Sequence, residues 1–160
     1  MTRLTPMVER FWPKVDKSGN CWLWTAGKNK DGYGQIGRGN GTQGNMLGAH
    51  RVSYEMENGP IPAGMVIDHI CHQRSCVRPS HLRAVTQKQN MENRRGPISA
   101  TGVRGVYRVT NSPSFQVTVG HNGKLHYGGV HATIAEAEAV AIALRNRLHT
   151  CNDLDRSAAA

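Results

Sequence analysis

The chain has 160 residues, 38% of them hydrophobic, with two Phe and three Trp, so it makes one ordinary domain or two small ones with thin cores. No apolar run is long enough to span a bilayer and no secretory leader opens the sequence, which excludes a membrane-spanning protein and points to the cytoplasm. Twenty Lys and Arg against eleven Asp and Glu give +9, a balance that favours a polyanionic partner such as nucleic acid.

In chain order, Glu9 to Trp12 reads as the end of a short helix before Pro13. "CWLWTAG" and "YGQIG" flank the turn-rich "KNKDG", which predicts a hairpin with Trp22 and Trp24 on one face and Cys21 and Leu23 on the other. Gly39 to Gly48 reads as a loop. "AHRVSYEMENG" is a short helix ended by Gly59 and Pro60. "MVIDH" and "LRAV" are two short strands around a long loop, and "TQKQNMENRR" is a helix with Thr86 as N-cap and Gln89 three residues on.

"RRGPISATG", residues 94–102, has no hydrophobic period and reads as a linker. Beyond it, "VRGVYRV", "SFQVTV" and "KLHYGGV" are β-prone runs joined by "TNSP" and "HNG" turns. From Thr133, "TIAEAEAVAIALRNRLH" is an Ala-rich helix with a basic last turn. The expected fold class is α+β, with one domain over 1–97, a three-stranded antiparallel sheet plus helix over 98–150, and a tail over 151–160. Residues 1–95 hold 14 basic and 7 acidic side chains, so most of the positive excess lies in the first half.

The stretch "VIDHICHQRSCVRPSHL" carries the chemistry. Cys71, Cys76 and His81 offer three soft or borderline ligands on one loop; a closed structural zinc site needs four, and Cys21 is the obvious fourth. On the residues alone the alternative stays open that Cys21 and Cys71 are small buried thiols and His81 a hydrogen-bonded core histidine. Asp68 and His69 are neighbours on a strand and serve one site only at a strand end. A carboxylate with the amide of Asn90 is a hard donor set for Mg²⁺, and imidazole is the natural base for activating water. An exposed Asp beside a structural His is the competing account.

"DHICHQRSCVRPSHLRAVTQKQNMENR", with "CWLWTAG", "GYG", "AHRVSYE" and "GPIPAG" upstream, resembles the HNH (ββα-metal) nucleases, most closely those carried by phages. The Cys and His spacing is similar to the first zinc site of the His-Cys box homing endonucleases. The resemblance covers about residues 20–95. It implies that His69 is the general base, that Asp68 and Asn90 hold a catalytic divalent ion such as Mg²⁺, and that Cys21, Cys71, Cys76 and His81 hold a structural Zn²⁺. It further implies a homing-type endonuclease, with nicking among its outcomes, acting on double-stranded DNA in a bacterial or phage-infected cell as a monomer or homodimer. The middle residue of the family's triad is commonly Asn; His81 stands there, so zinc binding by His81 leaves a backbone carbonyl to fix the His69 tautomer. A catalytically inactive, zinc-stabilised DNA-binding regulator and a zinc-stabilised protein-interaction module are the alternatives.

The second half resembles the AP2-type DNA-binding domain over about 102–148. That resemblance implies a DNA-reading sheet with Arg104, Arg108, Gln116, Thr118, Lys124 and His126 facing outward; a solvated sheet face is the alternative. Arg51 is a candidate phosphate clamp or an ordinary helix arginine. Lys88, Arg94 and Arg95 are candidate phosphate contacts. Trp22, Trp24 and Tyr33 are read as core, with base stacking the other option.

Overall fold

A computed structural model of the chain describes residues 5–39, 45–94 and 99–157. It divides into two compact units, Met1–Gln87 and Lys88–Ala160. Among the described residues no helix is long and apolar enough to cross a membrane.

The first unit is built from short pieces around large side chains. Helix α1 (Met7–Phe11) passes into a 3₁₀ turn, Trp12–Lys14, with Pro13 where its missing N–H costs nothing. Phe11 and Trp24 are fully buried and pack with ring centroids 5.0 Å apart, joined by Ile36, Ala49, Val52 and Val77.

Strand β1 (Val15–Asp16) pairs with β2 (Leu23–Trp24), and β3 (Gln35–Gly37) pairs with β4 (Met46–Gly48). The predicted hairpin between "CWLWTAG" and "YGQIG" is therefore corrected. Only its tip forms, as a Lys28–Gly34 bridge closed by Asn29, whose side chain accepts from the Asp31 and Tyr33 amides at 3.0 and 2.9 Å. The strands diverge because the Trp24 indole lies across the chain at Gly34, where a Cβ would come within 2.6 Å of the ring. β4 also places a strand at the end of the expected 39–48 loop, whose residues 40–44 lie outside the described residues.

Helix α2 (Ala49–Asn58) buries Ala49, Val52 and Ser53 and stops at Gly59, whose φ of 79° suits glycine. Strands β5 (Met65–His69) and β6 (Leu82–Thr86) then pair antiparallel, with Asp68 opposite Arg83 and His69 opposite Leu82. The intervening loop is tied to β2 by Trp24 N–H to Ser75 O (2.8 Å) and Val77 N–H to Trp22 O (2.7 Å). Those two bonds carry the loop to Cys21.

The second unit opens within helix α3 (Gln87–Glu92), followed by strands β7 (Val106–Arg108), β8 (Phe115–His121) and β9 (Lys124–His131), an antiparallel sheet in that order. Helix α4 (Ile134–Leu148) starts with a reciprocal cap. Thr133 Oγ1 accepts from the Glu136 amide at 3.2 Å, and Glu136 Oε2 accepts from the Thr133 amide at 3.2 Å. Val106, Phe115, Val117 and Val119 meet Ala137, Ala141 and Leu144 in a conventional sheet-on-helix core.

β9 carries a bulge opposite Val117 and Thr118. At Gly128 a Cβ would sit 2.7 Å from both Leu144 and Val117, so only glycine lets α4 approach there. The expected tail is corrected. Cys151 and Asn152 are buried, and a last short helix, α5 (Asp153–Ser157), holds Asp155 against Arg145 with Nε 2.5 Å from the carboxylate.

Candidate metal centre and active site

The ligating atoms of Cys21, Cys71, Cys76 and His81 all lie within 4.8 Å of one another. Each arrives from a different piece of backbone. Cys21 stands just before β2, Cys71 just after β5, and Cys76 is bridged to Leu23. His81 closes a 3₁₀ turn, Pro79–His81, with its Nδ1 3.6 Å from Cys21 Sγ and 3.7 Å from Cys76 Sγ.

Packed this closely, the thiols perturb each other. The hydrogen bond with Cys76 and then burial raise the Cys71 thiol, while the same bond lowers Cys76. Three sulfurs and one imidazole nitrogen are the soft, four-membered donor set of a closed tetrahedral zinc site. The cluster can hold a metal.

His69 ends β5 and is 6% exposed. Its Nε2 lies 3.0 Å from the Cys76 carbonyl oxygen. A carbonyl only accepts, so Nε2 carries the proton and Nδ1 the lone pair. Cys76, whose sulfur belongs to the cluster, thus also sets the histidine tautomer through its carbonyl. The rings of His50 and Tyr33 stand 5.0 and 5.8 Å from the His69 ring. Burial lowers the His69 imidazole from its ordinary value, opposed by the Cys76 carbonyl and the Asp68 charge.

Asp68 is 6% exposed, and Arg83 donates to its Oδ2 through Nε at 3.0 Å and Nη2 at 2.9 Å. Arg51 is exposed on α2. Asn90 lies half-buried on α3, in the second unit, and Lys88 and Arg94 are exposed there; Arg95 lies outside the described residues. Trp24 is core, and Trp22 and Trp12 pack against it with the Lys17 ammonium over both rings.

The predicted outward face of the sheet needs correcting. Cross-strand partners share a face. Gln116 and Thr118 pair with Tyr107, Val130 and Tyr127 on the side away from α4. Arg108 pairs with Phe115, its guanidinium 5.2 Å from that ring, and His126 and Lys124 pair with Val119 and His121. These three extend from the α4 side. Arg104 precedes β7 and spends its donors on the Glu92 and Arg94 carbonyls. The outer face is instead aromatic and aliphatic, with Tyr107 52%, Tyr127 63% and Leu125 79% exposed.

Sequence reasoning missed Arg83 and His50. Arg83 follows from the β5–β6 register, where it stands directly opposite Asp68. No sequence signal marks His50, whose Nδ1 is buried without a hydrogen-bond partner among the described residues.

Residues 47–92, from β4 through α3, match the model of the HNH endonuclease family. The chain is 38% identical over 74 residues to Protein 7.7 of Escherichia phage T7, covering 46% of this chain and 54% of that one. It is 39% identical over 84 residues to Protein 2.8 of the same phage (52% and 53%), and 30% identical over 107 residues to DNA endonuclease I-HmuI of Bacillus phage SP01 (61% of each). The matches span about half to two thirds of the length of these curated relatives. No solved structure matches the chain.

Proposed function

We propose that the protein is a metal-dependent DNA endonuclease of the HNH kind, in which a structural zinc on Cys21, Cys71, Cys76 and His81 braces a catalytic site of His69, Asp68 and Asn90. The observation that carries this reading is the Cys76 contact, by which one residue of the metal-competent cluster leaves His69 Nδ1 as the basic nitrogen. The HNH match over residues 47–92 and the likeness to a phage DNA endonuclease support it.

Nδ1 of His69 takes a proton from water as the water oxygen attacks the phosphorus. The P–O3′ bond breaks, the leaving oxygen gains a proton, and the products are 5′-phosphate and 3′-hydroxyl ends. Asp68 and Asn90 supply a carboxylate and an amide oxygen, donors suited to Mg²⁺, with Asp68 oriented by Arg83. A divalent ion bound there supplies charge neutralisation at the phosphate. Arg51, exposed beside His50, is placed in the role of phosphate clamp, with Lys88, Arg94 and Arg95 as backbone contacts.

The second unit is assigned to target selection, as an AP2-like module. Its outer face offers Gln116 and Thr118 for polar contacts and Tyr107, Leu125 and Tyr127 for apolar ones. A homing role, in which one or both strands are cut, belongs to the same reading.

A second reading draws on Arg83. Its guanidinium already neutralises Asp68, as a DNA-binding regulator without catalysis would tolerate. Supercoiled plasmid incubated with zinc-loaded protein and Mg²⁺ separates the two. Mg²⁺-dependent nicking with 5′-phosphate ends supports the nuclease, and retained DNA binding without any cleavage supports the regulator.

A further inference from the structure

Helix α3 has six residues, too few to hold its shape alone in water. What holds it is Glu92, which is 6% exposed. Its Oε2 accepts from the Thr150 amide at 2.9 Å and the Thr150 hydroxyl at 3.0 Å. Its Oε1 lies 3.4 Å from both Lys88 Nζ and His121 Nδ1.

Two further residues extend the anchor. Arg104 donates to the Glu92 carbonyl at 2.9 Å and the Arg94 carbonyl at 2.8 Å, and the Asp153 amide donates to Asn93 Oδ1 at 3.2 Å. All of these partners belong to the second unit: Lys88 lies on α3 itself, Arg104 precedes β7, His121 ends β8, and Thr150 and Asp153 follow α4. Asn90 is two residues before Glu92, about 200° around a helix. With Glu92 turned into the second unit's interior, Asn90 is turned away from it.

We propose that Glu92 is a positioning residue for Asn90: it fixes the helix that presents that amide, and with it how tightly the proposed catalytic ion is held. This rests on the proposed ligand role of Asn90. An exposed α3 free to fray would present the amide only part of the time, and the ion's apparent affinity would fall by that fraction. The expected domain over 1–97 would hold Asn90, while Arg104, His121, Thr150 and Asp153, which support its helix, follow it in the chain.

The test titrates zinc-loaded, full-length wild type, Glu92→Ala, Glu92→Gln and Asn90→Ala with Mn²⁺, reading bound metal by electron paramagnetic resonance beside Mn²⁺-dependent nicking. Glu92→Ala is expected to weaken Mn²⁺ binding roughly 10- to 100-fold, as supporting partners of a ligand do, with zinc content unchanged. Glu92→Gln, whose amide oxygen still accepts from Thr150, recovers most of the affinity. If Asn90→Ala loses Mn²⁺ while Glu92→Ala binds it like wild type, the inference is overturned and the role of Asn90 stands. If Asn90→Ala keeps wild-type affinity, both fall. Should Glu92→Ala not fold, Thr150→Val, which deletes only the hydroxyl donor, is read the same way: weaker Mn²⁺ binding supports the anchor, and unchanged binding overturns it.

Discussion

The two units solve the problem of small size by different means. The second stacks seven- and eight-residue strands on a fifteen-residue helix and buries a continuous set of Val, Phe, Ala and Leu. The first has two pairs of strands only two or three residues long, tied to a Trp–Phe centre and to a knot of three thiols and an imidazole. Side-chain packing makes one fold, while in the other a metal-competent cluster lies where the short pieces meet. His69, the proposed base, is attached to that cluster through Cys76.

The largest effect expected from this contrast is metal removal. All three Trp lie at positions 12, 22 and 24, so tryptophan emission reports the first unit alone. Chelation, or Cys76→Ser, should shift that emission towards the unfolded value while the helical signal of α4 persists, because structural zinc contributes about 10–16 kcal/mol to such folds. Emission that ignores chelation would mean the cluster is not structural.

The mirror-image perturbation is Gly128→Ala. Its methyl would meet Leu144 and Val117 at 2.7 Å, and such overpacking costs about 1–3 kcal/mol. Thermal unfolding should lose α4 earlier with tryptophan emission unchanged. A smaller loss of the same sign, about 1 kcal/mol, is expected for Thr133→Ala, which removes half of the reciprocal cap. If either change moved the tryptophan transition as well, the units would not be separable in stability.

These contrasts also explain what the sequence made legible. The second unit's strands and helix were readable because long elements repeat their period, and the cluster because Cys and His carry their chemistry in their identity. The pairing of Leu23–Trp24 with Val15–Asp16 was not readable, since two-residue strands have no period. Polar identity does not mark the sheet's outer face: Gln116 and Thr118 lie on it, but Arg108, Lys124 and His126 do not. Leu125 and Tyr127 point outward instead, because Val117 and Val119 had already claimed the side facing α4. Nor does spacing reveal that Arg83 grips Asp68 or that His50 sits beside His69; both follow only from register and packing.

The smallest expected effect is on acid stability. Burial, with His69 and Arg51 adding to it, pushes the His50 imidazole down to about 3, against an ordinary value of about 6.5. On acidification the unfolded chain takes up that proton first. The contribution of His50 is thus intact above about 6.5 and is lost as pH falls towards the folded value. His50→Gln should flatten the fall of stability between neutral and mildly acid pH, measured by urea titration of tryptophan emission. An identical slope would mean His50 is solvated.

The proposed role of His69, tied to the Cys–His cluster through Cys76, is that of the base in a DNA-cutting site. It is tested most directly by single-turnover plasmid nicking in Mg²⁺, comparing zinc-loaded wild type with zinc-loaded His69→Ala at equal DNA occupancy. Losing the base should slow cleavage by about 10²–10⁴ with DNA binding and zinc content unchanged. A His69→Ala protein that nicks at close to the wild-type rate would contradict it.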